Sequence, residues 1–167
     1  TRRLASGALA IESPLFERYD TSSLSSVAGG GSATPPRAAR LFLDKVPESY
    51  PGAGWGLTET NSNGAACTGR AFRAKPGTAG FLHPTVELSV RDEEGNELPQ
   101  GVPGRLWIKS PTLVSGYWNR PEATATEFRD GWFDSGDIGY LDEEGYLFLS
   151  DRAKDMVIRG GENVYCV

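Results

Sequence analysis

Apolar residues recur at helical spacing between about residues 38 and 46, within the first third of the chain. Beyond about residue 68 they fall into short alternating runs broken by turns. Ser22 to Val27 is short and partly apolar and reads as a strand, running into the loop signal Gly29-Gly30-Gly31-Ser32. Thr34-Pro35-Pro36 then opens a helix, with Thr34 as its cap and proline tolerated in the first turn. Ala38, Ala39, Leu41, Phe42 and Val46 supply its apolar side, and Pro47 and Pro51 end it. A strand or loop carrying Gly54 to Thr60 follows, so this third reads strand, helix, strand: a piece of an α/β layer. Val86-Glu87-Leu88-Ser89-Val90 alternates at period two, and Leu106-Trp107-Ile108 is a second strand core. Tyr140-Leu141 and Tyr146-Leu147-Phe148-Leu149 flank Asp142-Glu143-Glu144-Gly145; the same tetrad occurs at Asp92-Glu93-Glu94-Gly95. Each predicts a hairpin turn with glycine in the left-handed position. The tetrads lack the further ligands of a calcium loop, so both read as solvated turns. A short helix with proline in its first turn is expected at Pro121 to Phe128. Residues 68 to 150 therefore look like a small β-barrel or sandwich.

The 167 residues are 38% hydrophobic and 23% charged, within the globular range and enough to bury a core. A net charge of −5 and a pI near 5.0 argue against a nucleic-acid partner, which needs a basic face. They leave room for a bound nucleotide, whose phosphates can be met by Mg²⁺, backbone N–H groups and one or two cations. Cys67 and Cys166 lie too far apart for a disulfide framework or a metal-ligand spacing and read as reduced, structural thiols of a cytoplasmic protein. No apolar run approaches the ~20 residues of a membrane span, and Ala8-Leu9-Ala10-Ile11 is too short for a signal-peptide core. Both ends read as cuts within a longer protein.

Candidate chemistry is spread over three separated stretches. Gly54-Trp55-Gly56-Leu57-Thr58-Glu59-Thr60 puts an aromatic ring, a flexible backbone, a hydroxyl and a carboxylate in one loop. Trp132-Phe133-Asp134-Ser135-Gly136-Asp137 and Asp151-Arg152-Ala153-Lys154-Asp155 follow far downstream. The first resembles the GYGLTET motif of the adenylate-forming superfamily of acyl- and aryl-CoA synthetases, peptide-synthetase adenylation domains and luciferases. The second is similar to its W-x-TGD motif. The third, continuing through Met156-Val157-Ile158-Arg159-Gly160-Gly161-Glu162-Asn163-Val164-Tyr165, is similar to its GRxKDMIISGGENVYP motif. Gly104 to Ile108 and Gly116 to Thr124 fit the stretch between.

This resemblance, over about residues 17 to 167, implies an α/β fragment followed by a distorted, mostly antiparallel β-barrel, part of a two-domain fold. It divides the chain at 1–67 (end of the α/β subdomain), 68–153 (barrel) and 154–167 (hinge and start of the small C-terminal domain). It implies ATP-dependent activation of a carboxylic acid, a fatty acid before others, to an acyl adenylate. Transfer to coenzyme A follows, with Mg²⁺ on the phosphates. Glu59 is implied as the metal ligand and Thr58 as a contact of the α-phosphate. Trp55 would lie against the adenine, where the family more often has tyrosine, with Gly56 beside it and Gly30, Gly31 and Ser32 forming the adenine-side turn. Asp137 would accept both ribose hydroxyls and Arg152 would bond ribose or phosphate. Lys154 would be the hinge, with Asp155 the neighbouring alternative. Ser135 keeps a hydroxyl where threonine is usual, and Asp134 stands where a basic residue is common. The single histidine, His83, reads as a turn residue. The family's phosphate loop would lie upstream and its catalytic lysine downstream, so the fragment alone is expected to be inactive. The alternatives are a peptide-synthetase-type adenylation domain, a luciferase-like oxygenase and a non-catalytic nucleotide-binding or structural fragment.

Overall fold

In the computed structural model, residues 10–29, 36–152, 157–159 and 162–164 are described. The expected strand, helix, strand unit is present as β1 (Ser26–Gly29), α1 (Pro36–Lys45) and β2 (Tyr50–Trp55). β1 and β2 run parallel, from Ser26 opposite Tyr50 to Gly29 opposite Ala53. β1 begins at Ser26, later than the apolar pattern places it. Asp20 accepts the Ser22 amide at 3.0 Å, and the Leu24 amide turns back to the Thr21 carbonyl. α1 packs through Ala39, and Val46 is buried just beyond its end, whereas Leu41 and Phe42 are half-buried. Thr34, the expected cap, lies outside the described residues.

β3 (Ala65–Thr68) and β4 (Phe81–Leu82) add antiparallel strands, giving a sheet of order β1-β2-β3-β4 that continues past residue 68. Between β3 and β4 lies a helix the pattern did not reveal, α2 (Arg70–Ala74). Five residues are too few to show a helical period. Phe72 anchors it in a small cluster with Ala39 and Cys67. Cys67 is a buried free thiol, and burial pushes its pKa up, keeping it protonated.

The second sheet is antiparallel throughout and curls into a half-barrel. It holds β5 (Glu87–Arg91), β6 (Gly104–Lys109), β7 (Phe128–Arg129), β8 (Trp132–Leu141) and β9 (Leu147–Arg152), in the order β5-β6-β8-β7 with β9 also on β8. α3 (Pro121–Glu127) precedes β7, with proline in its first turn as expected. β10 (Val157–Arg159) and β11 (Glu162–Val164) form a separate antiparallel pair. Leu147 ties the two large sheets together. Its carbonyl accepts from the Ala79 amide and the Thr78 hydroxyl, both at 2.8 Å, and its amide donates to Gly80 at 2.8 Å. The main core lies between the sheets: Trp55 and Ala65 come from the first, and Leu106, Ile108, Phe133 and Leu147 from the second.

Both acidic tetrads are turns, with Gly95 at φ 90° and Gly145 at φ 83°. Asp92 closes the first by accepting the Asn96 amide at 2.8 Å. Asp142 closes the second through the amides of Glu144 and Tyr146 and also pairs with Lys75, which reaches Glu144 at 2.9 Å. His83 sits at the turn before β5, its carbonyl accepting the Val86 amide.

Burial acts to raise the Asp142 carboxyl, but the bond from Lys75 and the turn amides outweigh it and hold the group below its usual range. The bonds to Asp142 and Glu144 raise Lys75 in turn. The pair therefore stabilises the fold above the ordinary carboxylate range. Its contribution disappears as pH falls through the lowered value of Asp142, or rises through the raised value of Lys75. Lys75→Met should lower the urea midpoint at neutral pH, and the gap from the parent should close on acidification. A gap independent of pH would show that the ion pair is not its source.

Candidate functional site

Chain geometry delivers Glu59 on a tightly closed loop. β2 ends at Trp55, and Leu57 leads into a single 3-10 turn, Thr58–Thr60. Thr60 is fully buried; its hydroxyl donates to the Leu57 carbonyl at 3.0 Å and accepts the Leu57 amide at 3.1 Å. The next two residues, Asn61 and Ser62, take left-handed backbone at φ 52° and 62°, which folds the loop back on Gly56. A β-carbon at Gly56 would lie 2.4 Å from the Ser62 carbonyl oxygen, so only glycine fits there. Two further bonds fix the loop to the segment after β6: Asn61 donates its side-chain amide to the Thr112 carbonyl at 2.8 Å, and Val114 donates its backbone amide to the Glu59 carbonyl at 2.9 Å. The result leaves Thr58 exposed and Glu59 half-buried.

The Glu59 carboxylate meets one partner that sequence reasoning did not assign, Tyr117, which also reaches Glu127. Tyr117 Oη lies 2.8 Å from Glu59 Oε1 and 2.6 Å from Glu127 Oε2. A phenol carries one proton and donates to one of these oxygens at a time. Burial, then the hydrogen bonds to both carboxylates, push the Tyr117 pKa well up, so the phenol stays protonated. Its ring stands edge-on to Phe128 at 5.6 Å, and its backbone amide donates to Thr124 Oγ1 at 2.9 Å. The available signal was the stretch Gly116 to Thr124, whose match to the motif pattern says nothing of contact with Glu59. Among the described residues no group of three or more His, Cys, Asp or Glu side chains could hold a metal. One or two carboxylates fit an ion such as Mg²⁺ that keeps its other positions for phosphate and water, rather than a protein cage.

Asp137 is placed by a bulge. Trp107 pairs with Asp134 and Arg105 with Ile138, so Leu106 alone faces the three residues Ser135, Gly136 and Asp137. Ser135 takes over the missing ladder bond, donating its hydroxyl to the Leu106 carbonyl at 2.7 Å. The same hydroxyl accepts the Asp137 amide at 3.2 Å. Gly136 turns through φ 69°, a left-handed conformation that glycine adopts freely. Asp134 fixes the bulge, accepting the Gly136 amide at 3.1 Å on one oxygen and Arg105 at 2.6 Å on the other. Asp137 emerges buried, 8% exposed, and its Oδ2 accepts the indole N–H of Trp55 at 2.7 Å.

These contacts unite two of the sequence-predicted residues across 82 positions of chain. Trp55 is 6% exposed and belongs to the main core, so its ring presents little open face, while its N–H reaches Asp137. Arg152 pairs with Asp137 in the β8–β9 register, which puts its backbone at the site. Gly30, Gly31, Ser32 and Lys154 lie outside the described residues.

Residues 3–118 match the AMP-binding family, described as AMP-binding enzyme. The chain is 38% identical over 156 residues to the long-chain-fatty-acid–CoA ligase of Bacillus subtilis, covering 91% of this chain and 27% of the relative. It is 39% identical over 153 residues to a feruloyl-CoA synthase of an Amycolatopsis species, covering 91% and 30%. A structure of the O-succinylbenzoate coenzyme A synthetase of Bacillus subtilis, in complex with ATP and magnesium ion, aligns with a TM-score of 0.77 and 30% identity, over 90% of this chain and 32% of that one. The chain thus spans less than a third of the length of the curated relatives named here.

Proposed function

Because this chain belongs to the AMP-binding enzyme family, we propose that the full-length protein activates a carboxylic acid with ATP and transfers the acyl group to coenzyme A. One observation carries the reading most. A single strand and loop, residues 50–60, presents the Glu59 carboxylate beyond its end and touches Asp137 through Trp55. The proposed magnesium ligand thus sits on an element that also holds, through Trp55, the proposed ribose contact on β8.

In the first step an oxygen of the acid attacks the α-phosphorus of ATP and pyrophosphate leaves, giving the acyl adenylate. In the second the sulfur of coenzyme A attacks the carbonyl carbon, AMP leaves, and the thiol proton passes to solvent. Both steps depend on holding reactants in line and on meeting developing charge. Thr58, exposed beside Glu59, donates its hydroxyl to the α-phosphate. Glu59, steadied by Tyr117, holds Mg²⁺, which when bound neutralises the phosphate oxygens. Asp137 accepts the ribose hydroxyls, and Arg152, opposite it in the sheet, bonds ribose or phosphate. Gly30, Gly31, Ser32 and Gly56 line the nucleotide, and Lys154 is the hinge for the second step. A fatty acid is the favoured substrate, supported by the Bacillus subtilis ligase, while the similarity to a feruloyl-CoA synthase makes aromatic acids the control.

The test is carboxylate-dependent exchange of labelled pyrophosphate into ATP by the full-length protein, across fatty and aromatic acids. Exchange with a fatty acid is the expected result. Exchange with aromatic acids alone would move the substrate class. No exchange with any acid, by a folded protein that still binds AMP, would favour a non-catalytic nucleotide-binding role.

A further inference from the structure

We propose that Trp55 is a positioning residue for ribose recognition. Its indole N–H holds the Asp137 carboxylate in the orientation that receives the ribose diol, and so sets the preference for a ribonucleotide over one lacking both hydroxyls. This rests on the ATP-site reading above.

Rotation about the last bond of an aspartate is broad and poorly defined, so an unguided carboxylate samples many orientations. A diol needs acceptor oxygens held in one plane and direction. The Asp137 backbone is set by the bulge and by Ser135. The indole bond at 2.7 Å then fixes the side chain, with both residues buried and charge assisting the bond.

Trp55 is suited to this because it cannot swing away. It is the last residue of β2, paired with Ala65 across the sheet, and its ring is packed in the main core. At 6% exposed it gives a base almost no surface to stack on. The directional feature it contributes to the site is its donor. Phenylalanine would fill much of the same space and supply none.

Dissociation constants of ATP and 2′,3′-dideoxy-ATP for the full-length protein decide the matter, measured by calorimetry with Mg²⁺ present. The parent should prefer ATP by about tenfold or more, the cost of leaving hydrogen-bonding groups unpaired. Trp55→Phe should shrink that preference by about fivefold or more, through weaker ATP binding with dideoxy-ATP nearly unaffected. Placing 3-benzothienylalanine at position 55 keeps the indole shape, removes the donor and should do the same even where the phenylalanine variant folds poorly. A preference retained in the benzothienyl protein, or equal weakening of both nucleotides, would mean that Trp55 only packs, and the proposal would fall. A parent that binds ATP without preferring it would remove the diol from Asp137 and the proposal with it. A parent that binds neither nucleotide would overturn the ATP-site reading itself.

Discussion

Asp137→Ala should weaken ATP binding to the full-length protein by roughly tenfold or more, because it leaves a ribose diol without its acceptor. The effect has a second component that the sequence did not announce. Asp137 is also the acceptor for the Trp55 indole, and both groups are buried. Truncation strands that N–H in the core, at a cost of about 1–3 kcal/mol. Lower stability and lower affinity should therefore appear together. Calorimetric titration with ATP measures one, and a urea midpoint the other. Unchanged ATP affinity would remove Asp137 from the ribose site even if stability fell.

Phe133→Ala should cost about 3–5 kcal/mol, the range for emptying a buried aromatic position. Phe133 is 1% exposed, and its ring centroid lies 4.7 Å from that of Phe128. Phe128 meets Tyr117 in turn, and Tyr117 meets Glu59. This file of three rings supports the phenol that touches the proposed metal ligand. The variant should show a large drop in urea midpoint and, where still folded, a higher magnesium requirement for ATP binding. A loss below ~1 kcal/mol would mean that the surrounding core collapses into the space.

What could be read from the chain follows the range of each interaction. β1-α1-β2 was legible in outline because a helical period between prolines and a partly apolar run before it are local patterns, whereas the segment after it read only as strand or loop. The hairpin around Asp142 to Gly145 was legible because glycine in a left-handed turn is local chemistry. The short helix at Arg70–Ala74 was not, since one buried residue, Phe72, holds it through neighbours elsewhere in the chain. At the site, the order of motifs singled out Glu59 and Asp137 as candidates. Their partners were out of reach: Tyr117 is 58 residues from Glu59, and Trp55 is 82 from Asp137. Ser135 could be read only as a retained hydroxyl. Its work as the substitute for a ladder bond depends on the register of β6 against β8, which no periodicity encodes.

The Leu147 joint has a consequence for how the protein is made. Its carbonyl receives the Thr78 hydroxyl from 69 residues earlier in the chain. A ribosome therefore releases the whole first sheet before the residue that closes it against the second exists. Until then the Ala79 amide and the Gly80 carbonyl lack their Leu147 partners, and Trp55 and Ala65 lack the apolar surface that covers them in the finished core. An emerging chain in that condition is open to pairing with a neighbour. Synthesis slowed between residues 82 and 147 should raise the aggregated fraction, whereas a pause late enough for Leu147 to have left the ribosome should not.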